Sequence, residues 1–293
     1  MRTIKKLLTN PLSLIGLVLV LFFAFVAVAA PWLAPPPRPE DPYRIPRAGF
    51  SPVPKPPSPE HPFGTASGQY DIYYGVIWGT RTAFKVGLII TGTTLLIGLL
   101  LGTTAAFFGR WIDELLMRIT DLFLAFPFLV AAVTMAAVLQ SKLGRGIFTA
   151  MIALITFGWM GYARLIRGDV LTLKERDYVL AARAAGASHF RILFRHILPN
   201  AIYPTLVVAS MDIGSYVLSF SALSFLGLGA EVGYADWGQM ISFARDWIPV
   251  LANYWWIVVY PGTAILLFVL GWNLIGDAFR DVLDPRMRGT RAG

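Results

Sequence analysis

The chain has 293 residues, of which 56% are hydrophobic and 14% charged, with a net charge of +8 and no cysteine. That balance lies outside the range of soluble globular chains and describes an all-α protein that crosses a membrane several times. It excludes a disulfide framework and a thiolate metal site. With about 20 apolar residues needed per crossing helix, six spans are predicted, over residues 12–30, 84–108, 120–139, 147–163, 201–222 and 255–276.

Residues 1–30 imitate a signal peptide, with a basic start, an apolar run and alanines before Pro31. The run from Leu12 to Ala30 is longer than a usual signal h-region. As a helix it reaches about 28 Å, so it reads as a retained anchor. The next stretch, 31–83, is predicted to be external. Prolines from Pro31 to Pro62 exclude helix and central strand and favour extended chain. It is either a stiff spacer or a surface that guides a substrate-delivery protein. Tyr70, Tyr73, Tyr74 and Trp78 then suit a membrane interface.

Residues 84–280 form the predicted transmembrane core. Gly98 and Gly102, with Gly87 and Gly92 before them, let helices approach closely in lipid. Phe126-Pro127-Phe128 is expected to kink the third span. Arg118 with Asp121, and Asn273 with Asp277 beside Arg280 and Asp281, have the spacing of clasps on one helix face. Residues 223–254, broken by Gly227, Gly229, Gly233 and Pro249, read as a re-entrant or surface element. Trp237, Trp247, Trp255 and Trp256, with Tyr254 and Tyr260, read as an external aromatic belt. Residues 281–293 are a predicted cytoplasmic tail.

With the N-terminus inside, most basic residues fall in cytoplasmic pieces: Arg2, Lys5, Lys6, Arg110, Arg118, the 164–199 loop, and Arg280, Arg286, Arg288 and Arg291. The positive charge therefore reads as topology and contact with anionic membrane lipid, not as nucleic-acid binding. In the loop itself, Arg164, Arg167, Lys174, Arg176, Arg183, Arg191 and Arg195 outnumber Asp169, Glu175 and Asp177. Val179 to Ala185 favours helix, and Gly186 allows a turn. Phe190, Ile192, Leu193, Phe194 and Ile197 supply apolar surface, and Pro199 limits the second helix. Two short helices at a bend, rimmed by arginine, make a knob suited to a groove in another protein.

No phosphate-binding G-x-x-x-x-G-K-[ST] loop, nucleophile elbow or H-E-x-x-H helix occurs, and the three histidines form no cluster with metal-ligand spacing. The chain reads as non-catalytic, so energy for uphill work must come from a separate subunit. Asp212 is an acid placed inside a span, where a charge must face protein or water. Ser215 and Ser219 can share its face. Asp212, Ser215 and Ser219 therefore line a wet translocation path, or Asp212 is a buried hydrogen-bonded partner. Both readings stay open.

Ala181-Ala182, Gly186 and Leu198-Pro199 resemble the EAA loop of ATP-binding-cassette importer permeases. GYARLIRGDVL (161–171), LFRHILPN (193–200), LSFLGLG (223–229) and DPR (284–286) are similar to the second subunit of the oligopeptide/dipeptide/nickel permease family. So are HPFGT (61–65), YGVIWGTRT (74–82) and DELLMRITDLFLAFP (113–127). The resemblance implies a type I importer permease bundle in a prokaryotic inner membrane, with both termini cytoplasmic. It implies a second homologous permease, two ATPase subunits that bind ATP and magnesium, and an external solute-binding protein. It assigns ATPase coupling to a surface containing Ala181, Ala182, Arg183, Ala185, Gly186, Ala187, Phe190, Arg191, Phe194 and Pro199. Two departures stand out: Leu180 replaces the leading glutamate, and Ala66-Ser67-Gly68-Gln69-Tyr70-Asp71 replaces the acidic and Gly-Arg-Asp group after HPFGT. The resemblance leaves the cargo open among peptides, nickel and sugars. An ion-gradient-driven secondary transporter or channel is the alternative, and a non-transporting anchoring protein a third.

Overall fold

The computed structural model describes residues 10–283. The expectations for Arg2, Lys5, Lys6, the DPR word at 284–286 and the basic tail lie outside that range. Eleven helices are named in chain order: α1 Pro11–Leu33, α2 Ile72–Phe108, α3 Arg110–Leu124, α4 Phe128–Leu143, α5 Ile147–Thr156, α6 Met160–Lys174, α7 Asp177–Ala184, α8 His189–Ile192, α9 Leu198–Phe225, α10 Trp237–Ser242 and α11 Trp256–Leu283. A π-helical turn, Leu193–Ile197, joins α8 to α9.

Among the described residues five helical stretches are long and apolar enough to cross a membrane, and the bent pair α3 with α4 makes a sixth if it is taken as one broken span. α1 starts with Asn10 accepting from the Leu12 amide at 3.0 Å and Pro11 in the first turn, where a missing N–H costs nothing. α2 starts twelve residues earlier than predicted. Asp71 caps it, accepting from the Tyr74 amide at 2.8 Å, and Gly109 ends it at φ 62. Its 37 residues extend about 55 Å. The predicted kink at Pro127 is a full break. α3 and α4 meet at 86°, because Pro127 takes extended backbone before α4. The predicted 120–139 span therefore straddles two helices, and α3 is amphipathic, not apolar. Likewise α5 and α6 are separated by a turn at Phe157–Trp159, and α6 runs eleven residues past the predicted end of span four.

In the bundle, α9 packs along α11 and α2, α11 along α1, and α2 along α6. Glycines set two of these approaches. A Cβ on Gly98 would lie 2.8 Å from the Trp159 carbonyl oxygen, and one on Gly102 would lie 3.1 Å from the Ala163 carbonyl carbon. Gly87 meets Ile213, whereas Gly92 faces open space. Among the charged clasps, Arg118 pairs with Glu114 at 2.6 Å and not with Asp121, which pairs with Arg164 on α6. Among the described residues no hydrogen bond joins Asn273 to Asp277.

Residues 34–71 form a strap, not a free spacer. Ile45 donates its amide to Gly233 O at 2.8 Å, and Ala235 donates to Tyr43 O at 2.7 Å. Tyr43 stacks on Tyr234, and Tyr70 on Phe243. The aromatic groups read as interfacial are largely core. Tyr70, Tyr74, Trp78, Trp237 and Trp256 are buried, and only Trp255 is well exposed. Their polar atoms hold the strap: Trp78 donates to Ala34 O, Trp247 to Ser67 Oγ and Trp256 to Thr65 O. Aromatic rings with one polar edge bury well only where that edge finds an acceptor.

Asp236 caps α10, accepting from the Gly238 amide at 3.1 Å. Burial pushes its carboxyl up to about 6, against the pull of that hydrogen bond. A carboxyl raised above its unfolded value of about 3.9 favours folding below that value, and the contribution is lost as pH rises through 6. Asp236→Asn keeps the cap acceptor and removes the charge. It is expected to raise the thermal midpoint at pH 8, with the gain shrinking towards pH 4. Parallel wild-type and variant profiles from pH 4 to 8 would remove Asp236 from this role.

Candidate functional site

At the end of the bundle opposite the strap, the chain between α6 and α9 folds into a knob. α7 closes on a complete glycine cap. The Gly186 amide donates to Arg183 O at 3.0 Å, and the Ala187 amide to Ala182 O at 3.1 Å. This paired bonding needs a left-handed residue at the first position beyond the helix, and Gly186 has φ 78. Ser188 then caps α8, accepting from Arg191 N. After the four residues of α8 the π-helical turn leads into α9, and Pro199 lies in its first turn. Pro199 thus opens a long helix where the sequence pattern suggested a limit.

The apolar side chains divide into two sets. Val179, Ile192, Leu193 and Ile197 are buried with Ile166 and Val170 of α6 and Ala106 of α2, and Ala182 and Ala187 pack against them. Phe190 and Phe194 remain 65% and 61% exposed, with near-parallel rings 6.5 Å apart. Leu180, Ala181 and Ala185 are exposed as well. The knob therefore has its own core and an outward apolar face. The basic residues also divide. Arg167 forms a two-pronged pair with Asp113 of α3, at 2.5 and 2.7 Å, and Arg164 pairs with Asp121. Lys174 donates to Ala106 O at 2.8 Å, at the carbonyl-rich end of α2. These three belong to α6 and anchor the knob. Arg176, Arg183, Arg191 and Arg195 stay exposed as its rim.

Asp212 is half-buried on α9, and Tyr162 of α6 donates to its Oδ2 at 2.5 Å. The neighbouring Tyr216 donates to Gly158 O at 3.0 Å. Ser215 and Ser219 turn their hydroxyls to carbonyls one helical turn back, Met211 O and Ser215 O. The three predicted path residues share one stripe of α9, but no hydrogen bond links their side chains. Tyr162→Phe is expected to destabilise the protein by about 1–3 kcal/mol, because it strips a half-buried carboxylate of its donor. Asp212→Asn keeps an acceptor and should do less. Altered uptake by Asp212→Asn at unchanged thermal stability would instead assign Asp212 to the path. Sequence reasoning missed Tyr162 and Asp113. Asp113 lies within a recognised word, yet nothing local marks its partner 54 residues away.

The described residues form a polytopic helical bundle with a helical knob, which has its own small core, set between α6 and α9. This fold is similar to a chain of the inward-facing MetNI methionine ABC transporter, with a TM-score of 0.57 at 21% identity, over 72% of this chain and 97% of that one. Residues 95–289 match the family model of the binding-protein-dependent transport system inner membrane component, and residues 1–52 match that of the N-terminal TM domain of oligopeptide transport permease C. The chain is 38% identical to a dipeptide transport system permease protein of Alkalihalophilus pseudofirmus, over 97% of this chain and 89% of the relative. It is 35% identical to an oligopeptide transport system permease protein of Bacillus subtilis, over 96% and 87%. The chain belongs to the binding-protein-dependent transport system inner membrane component family.

Proposed function

We propose that this permease carries small peptides through a path shared with a second homologous permease. The two are driven by ATPase subunits that hold ATP and magnesium, and supplied by an external solute-binding protein. The relatives named for dipeptide and oligopeptide transport support the cargo. The knob is the observation that carries the mechanism. Its outward face of Leu180, Ala181, Ala185, Phe190 and Phe194 is apolar, and its arginine rim is free to meet acidic groups on an ATPase. It is bound to α6, α2 and α9, so displacement of the knob moves three long helices together. ATP must favour one arrangement of the paired permeases over the other to bias outward and inward openings. Val208, Ser215 and Leu218, exposed on one face of α9, suit the surface turned to the second permease or to the path.

This reading puts the knob and both termini in the cytoplasm and the strap outside. Because the chain has no cysteine, a single cysteine at position 188 reports the knob's side cleanly. An impermeant maleimide applied to intact cells should leave it unlabelled, whereas opened membranes should label it. Labelled-dipeptide uptake by the assembled complex should require ATPase activity. Uptake that persists with an inactive ATPase would favour a gradient-driven transporter.

A further inference from the structure

The strap carries as many acids as bases: Glu40, Asp41, Glu60 and Asp71 against Arg38, Arg44, Arg47 and Lys55. The fold sorts them unevenly. Arg38, Arg44 and Arg47 line one cavity of about 480 Å³ with Phe50 and Tyr70, and no acid lines it. Among the described residues none of these guanidiniums forms an ion pair. Asp41 instead lines an adjoining cavity, which Arg44 also borders. Like charges gathered without a counter-ion repel one another, and an anion relieves that repulsion.

The backbone that presents them is fixed. The Asp41 amide donates to Arg38 O at 3.1 Å, and the Arg44 amide to Asp41 O at 3.2 Å. Ile45 then bonds Gly233. Arg47 lies over the Tyr70 ring at 4.2 Å and donates to its hydroxyl, so its orientation is set in advance. Arg38 follows the end of α1 by five residues, close to the exposed Trp32. The cavity therefore sits near the level at which α1 leaves the apolar slab.

We propose that Arg38, Arg44 and Arg47 form an oxyanion-binding site, separate from the knob and from the α9 stripe. Planar guanidinium forks match phosphate and carboxylate oxygens two at a time. Two sources supply that chemistry at this depth: the phosphate of an anionic phospholipid, and a soluble oxyanion.

The test uses the complete transporter in lipid nanodiscs, as wild type, as Arg38→Gln and as Arg38→Gln/Arg44→Gln. Native mass spectrometry counts phosphatidylglycerol retained from an equal mixture with phosphatidylcholine. In phosphatidylcholine alone, inorganic phosphate is titrated at constant ionic strength, with intrinsic fluorescence as the readout. Trp247, bonded to Ser67 three residues from Tyr70, lies close enough to report. A lipid count that exceeds the double variant's assigns a headgroup site. A saturable phosphate response at least ten-fold weaker in the double variant assigns a soluble ligand. Either result supports the site. Equal lipid retention together with equal phosphate response in wild type and variants overturns it. Arg38 makes no side-chain hydrogen bond among the described residues, so its single variant preserves the test if the double variant fails to assemble.

Discussion

Replacing Gly186 by valine is expected to lower solute uptake at least ten-fold and to release ATPase subunits from the purified complex, while leaving the permease pair intact. The reason lies in the backbone. Gly186 has φ 78, and no heavy atom lies within 4 Å of the position a Cβ would take. A side chain therefore meets open space, and the penalty comes from conformation alone. A β-branched residue in the left-handed region costs about 1–3 kcal/mol. That strain acts on the two hydrogen bonds that close α7, a helix of only eight residues. When the cap opens, Ala182 and Ala187 lose the register that packs them against Val179 and Ile192, and the outward face carrying Leu180 and Phe190 tilts. Gly186→Asn is the discriminating control, because asparagine visits the left-handed region readily. It should retain most uptake. ATPase retention on affinity purification and labelled-solute uptake measure both variants. Wild-type values for valine would show that this bend does not couple the subunits.

Local chemistry made that bend legible. A glycine that follows a run of alanines marks a left-handed cap, so Gly186 and the helix before it could be placed from residue types. The loop's division into core and surface was not legible. Ile192 and Leu193 look like Phe190 and Phe194 in sequence, and only packing against α6 and α2 separates the pair that faces inward. The basic surplus was read correctly as a count but not as a distribution. Arg164, Arg167 and Lys174 belong to a helix that continues beyond its apolar stretch, because carboxylates on α3 and carbonyls of α2 receive them. The strap was the larger misreading. Proline density did exclude helix along most of it, but extended chain can still pack. What fixes it is a set of aromatic N–H and O–H groups reaching backbone carbonyls as many as 191 residues away, between Trp256 and Thr65. No local pattern announces such pairs.

The glycines of α2 lead to the second large effect. The sequence presents Gly87, Gly92, Gly98 and Gly102 as one class of small residue, whereas the structure separates them. Gly92 faces open space, while Gly98 lies against the backbone of Trp159, just before α6, and Gly102 against that of Ala163 in α6. Gly102→Val would place new carbon atoms against the main chain of Ala163, which cannot rotate aside as a side chain can. The helices must separate, and that separation disturbs the Tyr162 bond to Asp212 and the seat of the knob on Ala106 and Ile166. Overpacking of a close contact costs about 1–3 kcal/mol, and more where backbone is the obstacle. The expected result is a fall of at least about 5 °C in the apparent thermal midpoint, with reduced yield of assembled complex. Gly92→Val adds the same side chain to the same helix without a neighbour to strike, and should shift the midpoint by no more than about 1 °C. Fluorescence-detected size exclusion after heating, run on both variants and on wild type, gives the comparison. Similar losses in the two variants would mean that valine harms α2 itself. A loss confined to Gly102→Val would locate the effect at the contact between α2 and α6, which holds the knob to the rest of the permease.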